Sequence, residues 1–430
     1  MDRSSMGNAK ISGLEADLNL RATDYSIATS LFYPTYLLFQ PLSNWCLKRF
    51  GARKWLPTLT LLWGGVITAQ AFASNRAQLF LCRVLLGIPE AGYNSGAIYL
   101  ISYWYPKSQV TRRVSIFYTG TAIGTLIAGP IALGLTKLNH GFLHSWHTIF
   151  FVEGIATMAW GLVMFVMVPS YPDEAWVLKS AERAALVTKL GAEKQQAGRR
   201  QINTRRFVRC LFNPTMFLIS LILLFCNVPL NTIMLFGPQV VRDMGFTQAE
   251  AQGMQALPGL CGFFGIVLVN WSLPLFGTHY LNIIFNAFIV TVGGVIMLCT
   301  ANAGAQMFAL CMFGFGSFGI LGLAPGWLAT NVASNVTLGS AAASVLLICG
   351  GSGGIIASNI YRNQDSPRYI LGHSVNMAAG ICMVVLALAV RWNMGRINRQ
   401  KEDNPQDISF LSNEDIEELE EQHPGFRFVY

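Results

Sequence analysis

Charge is what this sequence has least of. Asp, Glu, Lys and Arg make up 12% of its 430 residues, where a soluble domain carries about 25%. So few charges cannot cover the surface of several soluble cores. Cysteine pattern is lacking too. The nine cysteines run from Cys46 to Cys382 with no C-x-x-C and no Cys/His metal spacing, which excludes a disulfide scaffold and a zinc site. Neither a nucleophile–base motif, nor H-E-x-x-H, nor a phosphate-binding loop occurs, so nothing points to catalysis or a cofactor. What the chain has in abundance is apolar sequence: 53% hydrophobic residues and a mean hydropathy of +0.43. Together these leave a polytopic membrane protein.

A bilayer-crossing helix takes about 20 predominantly apolar residues. Runs of that kind fall at 24–47, 55–74, 78–104, 113–136, 147–169, 211–236, 251–276, 280–300, 304–330, 339–361 and 371–392, eleven in all. Basic residues crowd alternate loops: Lys48, Arg49, Arg53 and Lys54; Lys107, Arg112 and Arg113; nine in 170–210; then Arg391, Arg396, Arg399 and Lys401. The positive-inside rule makes that side, and the C-terminal tail, cytoplasmic. The net charge of +8 is thereby spent on topology and anionic lipid, not on nucleic acid. Met1 to Lys10 reads as the end of a further helix whose first part is missing. The expected organisation is a helical half over 1–169, a cytoplasmic linker over 170–210, a second helical half over 211–392 and a tail over 393–430. That is the layout of carriers built from two six-helix halves.

Ionisable residues at bilayer depth are costly and mark substrate or proton pathways. They cluster before the linker: Asp2, Arg3, Arg83, Glu90 and Glu153. After it the polar groups are neutral, among them Asn227, Asn231, Gln255 and Asn331. Arg83 and Glu90 are seven residues apart, about 700° of rotation, so they share a helix face about 10 Å apart and each needs another partner. Asp2 and Arg3 are the candidates. An arginine fork suits a carboxylate, and a carboxyl in a poorly hydrated cavity takes up a proton more readily than in water. The same charges also suit an ion-pair network that only holds the bundle together. Glu153, with the loop residues Arg53, Lys54, Arg112 and Arg113, is expected to be structural or gating. Tyr33, Tyr36 and Trp327 sit mid-span beside proline or glycine and are candidates to stack on a substrate ring; Asn331 is a candidate polar contact.

Several segments carry a resemblance. "DRSSMGNAKISGLEADL", "PLSNWCLKRFGARKWLP", "RVLLGIPEAGYNSGAIYLISYWYPKSQVTRR", "FFVEGIATMAWGLVMFVMVPSYPDEAWVL", "PGWLATNVAS", "YRNQDSPRYILGHSVN" and the terminal "HPGFRFVY" resemble the fungal allantoate permease family, the anion:cation symporter branch of the major facilitator superfamily. The resemblance implies an all-α membrane fold of two six-helix halves, here with about eleven complete spans. It also implies proton-coupled uptake of a small organic anion such as allantoate, nicotinate or pantothenate, by a monomer in the plasma membrane, without cofactor or metal. It assigns anion binding to Arg3 and Arg83, and proton binding to Asp2 and Glu90. Gln40 stands where the family usually has Glu, and Thr337-Leu338 where a basic pair is usual. The alternative expectation is a nutrient sensor, or an inactive truncated paralogue, that binds without net transport.

Overall fold

The computed structural model describes residues 2–21, 23–105, 107–136, 145–169, 178–194, 213–331, 351–403 and 427–429. Among these, helix is the only regular secondary structure. In chain order the helices are α1 (Asp2–Ala9), α2 (Glu15–Asp17), α3 (Asp24–Phe50), α4 (Ala52–Gln70), α5 (Arg76–Glu90), α6 (Tyr93–Trp104), α7 (Lys107–Thr136), α8 (Ser145–Met167) and α9 (Ser180–Lys194). After the linker come α10 (Pro214–Asp243), α11 (Gln248–Met254), α12 (Ala256–Phe276), α13 (His279–Cys299), α14 (Ala303–Asn331), α15 (Gly353–Ile360) and α16 (Ile370–Asp403). Seven of the described stretches are long and apolar enough to cross a membrane by length and composition.

Local chemistry sets the helix limits. Asn75 caps α5 by accepting from the Gln78 amide, and Thr247 with Glu250 forms a reciprocal capping box on α11; both satisfy N–H groups that a helix start leaves open. The run 78–104, expected as one span, is two helices, α5 and α6, separated at Ala91–Gly92 just after Pro89. The last helix outruns its apolar stretch and continues to Asp403, with Lys401 in its last turn. The first part of the expected span 339–361, the departure at 337–338 and the acidic tail segment 413–422 lie outside the described residues.

The outward faces carry large apolar side chains, among them Leu38, Trp45, Leu62, Trp160, Trp271, Phe288, Phe308 and Trp392, all more than half exposed. In lipid such a surface needs no cover, whereas backbone polar groups must be paired within the helices. Polar side chains turn inward. α1 shows this most: seven of its eight residues are buried, four of them Asp, Ser or Asn. It can lie so deep because α10 passes very close; a Cβ on Gly7 would come within 2.8 Å of the Met234 carbonyl oxygen. Close approach through small residues is the ordinary packing device of membrane helices.

Helices before and after the linker meet along α1–α10, α7–α12, α7–α14 and α3–α15. On α14, Gly322 and Gly326 face Ser115 and Thr111 of α7, and Ser115 Oγ donates to the Gly322 carbonyl at 2.8 Å. Arg53 and Lys54, expected in a loop, are exposed in the first turn of α4, and Arg112 and Arg113, likewise expected in a loop, are exposed in the second turn of α7, with the Arg113 guanidinium 4.5 Å from the Tyr105 ring centre.

Candidate functional site

Four helices bring the ionisable residues together. α1 supplies Asp2 and Arg3, α5 supplies Arg83 and Glu90 two turns apart, α3 supplies an aromatic wall, and α10 supplies asparagines. The charges form two separate pairs. Arg3 Nη2 lies 3.1 Å from Glu90 Oε1, and Arg83 Nη1 lies 3.7 Å from Asp2 Oδ2. Asp2 and Arg3 are adjacent in the chain, and Arg83 and Glu90 share one face, so the two helices pair side by side with opposite polarity.

The Arg3 pair is built for exchange. Its guanidinium also donates through Nη1 to Asn231 Oδ1 at 3.3 Å and sits 5.0, 5.7 and 6.0 Å from the ring centres of Phe32, Tyr33 and Tyr36. Tyr33 Oη donates to the same Asn231 oxygen at 3.0 Å, and Asn231 Nδ2 donates to the Asn227 carbonyl at 2.7 Å. Arg3 is thus held on several sides by α3 and α10 while its side chain keeps 21% exposure. Glu90 Oε2 is buried without a hydrogen-bond partner among the described residues. A carboxylate oxygen left in that state is costly.

The Arg83 pair is closed. Both of its side chains are only 4% exposed. Arg83 Nη2 contacts Met6 Sδ at 2.9 Å, and the guanidinium lies 5.9 Å from the Phe150 ring centre.

A cavity of about 580 Å³ opens beside the Arg3 pair, within the size range of small-molecule sites. Its wall includes Asp2, Arg3, Tyr36, Gln40, Glu90, Asn94, Glu153 and Asn227, with the aromatic residues Trp63, Tyr93, Phe117, Tyr118 and Trp160. Arg83 does not line it. Trp327 and Asn331 also lie away from it. Trp327 is fully buried, stacks on His279 with ring centres 5.8 Å apart, and donates from Nε1 to the Val429 carbonyl at 2.8 Å. Asn331 clasps the same residue from both sides, accepting from the Val429 amide at 2.7 Å and donating to its carbonyl at 3.0 Å. Asn398 of α16 does likewise with Phe428, at 3.0 and 3.1 Å. Trp327 and Asn331, expected at the substrate, hold Val429 instead.

Sequence reasoning passed over Phe32, Tyr118 and the cavity-facing position of Gln40. It also passed over Lys10, which is 8% exposed.

The comparisons with known proteins agree with this architecture. The sequence profile of the Major Facilitator Superfamily matches residues 1–358. The MFS-type transporter cnsO of Penicillium expansum is 28% identical, the match covering 100% of this chain and 86% of the relative. The Major facilitator-type transporter hxnP of Emericella nidulans is 28% identical over 94% of this chain and 82% of its own length. Among solved structures, the proton:xylose symporter XylE bound to 6-bromo-6-deoxy-D-glucose superposes with a TM-score of 0.69 at 15% identity, covering 90% of this chain and 91% of XylE. The chain belongs to the major facilitator superfamily. It is an integral membrane transporter, and its relatives are carriers rather than enzymes.

Proposed function

We propose that this transporter is a proton-coupled symporter of a small carboxylate-bearing metabolite, of the kind that the allantoate permease resemblance implies, working by alternating access between its two helical halves. The observation that carries the reading is the Arg3–Glu90 pair on the cavity wall, with one Glu90 oxygen buried and unbonded. A substrate carboxylate that engages the Arg3 fork competes with Glu90 for the same donors. Once displaced, Glu90 is a buried carboxylate without its cation, a state several kcal/mol uphill. Taking a proton neutralises it. Anion and proton therefore enter together, and neither alone gives a comfortable site.

Within this scheme Arg3 and Tyr36 meet the substrate, Glu90 takes the proton, and Asp2 is fixed in place by Arg83. The aromatic lining, with Asn94 and Asn227, shapes the room left for the rest of the substrate. The basic loops and the C-terminal tail face the cytoplasm, and a monomer in the plasma membrane suffices. The test is uptake of radiolabelled allantoate, nicotinate and pantothenate with and without a proton ionophore. Accumulation abolished by the ionophore is expected. Accumulation indifferent to it removes the coupling, and saturable binding without net uptake favours the sensor alternative.

A further inference from the structure

Lys10 is a buried cation that the proposed chemistry does not use. It stands at the end of the bundle away from the basic loops, where α1 leaves the core. Its ammonium group donates to Asn363 Oδ1 at 3.1 Å, lies 3.5 Å from Glu15 Oε1, and sits 4.2 Å and 5.3 Å from the ring centres of Tyr25 and Phe236. Glu15 and Tyr25 belong to the chain before the linker, and Asn363 and Phe236 to the chain after it. The lysine therefore spans the seam between the two.

The surrounding contacts cross the same seam. Tyr25 Oη donates to the Leu235 carbonyl at 3.0 Å, and Gln252 Nε2 donates to Ser12 Oγ at 2.9 Å. Asn363 is steadied by a second donor, Gln239 Nε2, at 3.2 Å, and Gln239 also reaches Tyr369 Oη at 2.9 Å. The backbone carries an independent sign. Lys10–Leu14 is a π-helical turn whose regularity is lost at Ser12 and Gly13, the glycine at φ +103°. Single π turns inside helices recur at functional sites, and a left-handed glycine is a place where the chain can bend without a Cβ clash.

We propose that Lys10 is the latch of the outer gate, with Asn363 as its strike plate and the Lys10–Leu14 turn as its hinge. The pairing chemistry suits repeated opening. The hydrogen-bonded partner across the seam is a neutral amide, and Asp243, the carboxylate that also attracts the ammonium from that side, keeps the hydroxyls of Ser366 and Tyr369 when the two part. The lysine's anionic partner, Glu15, lies on the same side of the seam and stays with that half. The inference rests on alternating access but not on the carboxylate reading.

The test reads gate opening directly. Ser12→Cys places a thiol under the latch, and its reaction rate with a polar maleimide is followed in detergent-solubilised full-length protein, against the same chain without that cysteine. Lys10→Met is expected to raise the rate about tenfold or more, the scale set by losing a charge-assisted hydrogen bond. Asn363→Ala is expected to raise it similarly, the two together to add little beyond either, and Lys10→Arg to restore slow labelling. Where Lys10→Met does not fold, Asn363→Ala on the facing side reads the same quantity. Labelling unchanged in folded Asn363→Ala protein overturns the latch, as does a rise with Lys10→Met that Asn363→Ala fails to reproduce. Because no solute is involved, a chain that carries no carboxylate gives the same answer, which separates this proposal from the previous one.

Discussion

Two ion pairs stand side by side between α1 and α5, alike in chemistry and unlike in surroundings. Arg3–Glu90 borders the cavity with both partners, at 21% and 10% side-chain exposure; Arg83–Asp2 is nearly buried, at 4% and 4%, and reaches the cavity wall through Asp2 alone. A sealed pair has no room to trade partners, so it fixes the geometry of its neighbour. In the proposed cycle the more accessible pair is the one that a solute opens and a proton resets. The same contrast recurs on a larger scale. Helices before the linker carry the charges, whereas those after it present Asn231, whose amide oxygen holds Arg3 without neutralising it and whose Nδ2 is anchored on the Asn227 carbonyl.

The sharpest way to break this contrast is Arg83→Met. It strands Asp2 in the bundle, and losing one partner of a buried pair costs about 3–5 kcal/mol. The expected outcome is a large fall in thermal stability and in the yield of monodisperse protein; unaltered stability denies the sealed pair its structural role. Next comes Glu90→Gln, which keeps shape and hydrogen bonding while removing the proton site. It is expected to exchange labelled for unlabelled solute at near wild-type rate, yet accumulate at least about tenfold less, as counterflow and net-uptake assays would show. Arg3→Lys keeps the charge and loses the fork, so the apparent KM for uptake should rise about tenfold, with Vmax changing less. The smallest effect belongs to Trp327→Phe. Losing the hydrogen bond to Val429 should cost about 1 kcal/mol of stability and leave KM unchanged; a raised KM would return Trp327 to the cavity.

How far the sequence could be read follows from what hydropathy and spacing encode. Apolar runs and loop charge give helices and their order, because lipid leaves the backbone no alternative. The seven-residue step from Arg83 to Glu90 placed both on one face and demanded partners, and Asp2 and Arg3 meet them. Spacing does not say which end of that face meets a cavity, so Arg83 was expected at the substrate although it is sealed. Trp327 and Asn331 show a second limit. A polar residue in an apolar helix must point inward, but its partner here is the backbone of Val429, remote in sequence, which no periodicity reveals. Lys10 was hidden by its place at a helix end, where a lysine ordinarily reaches water; only the fold over it makes it a buried charge.

The central claim is that displacing Glu90 from Arg3 makes it take a proton. The direct measurement is proton uptake by purified protein in weakly buffered solution, on addition of a carboxylate that the wild-type chain accumulates. Uptake of a proton with each solute bound is predicted for the wild type, and none for Glu90→Gln. Equal uptake by the two proteins would contradict the account.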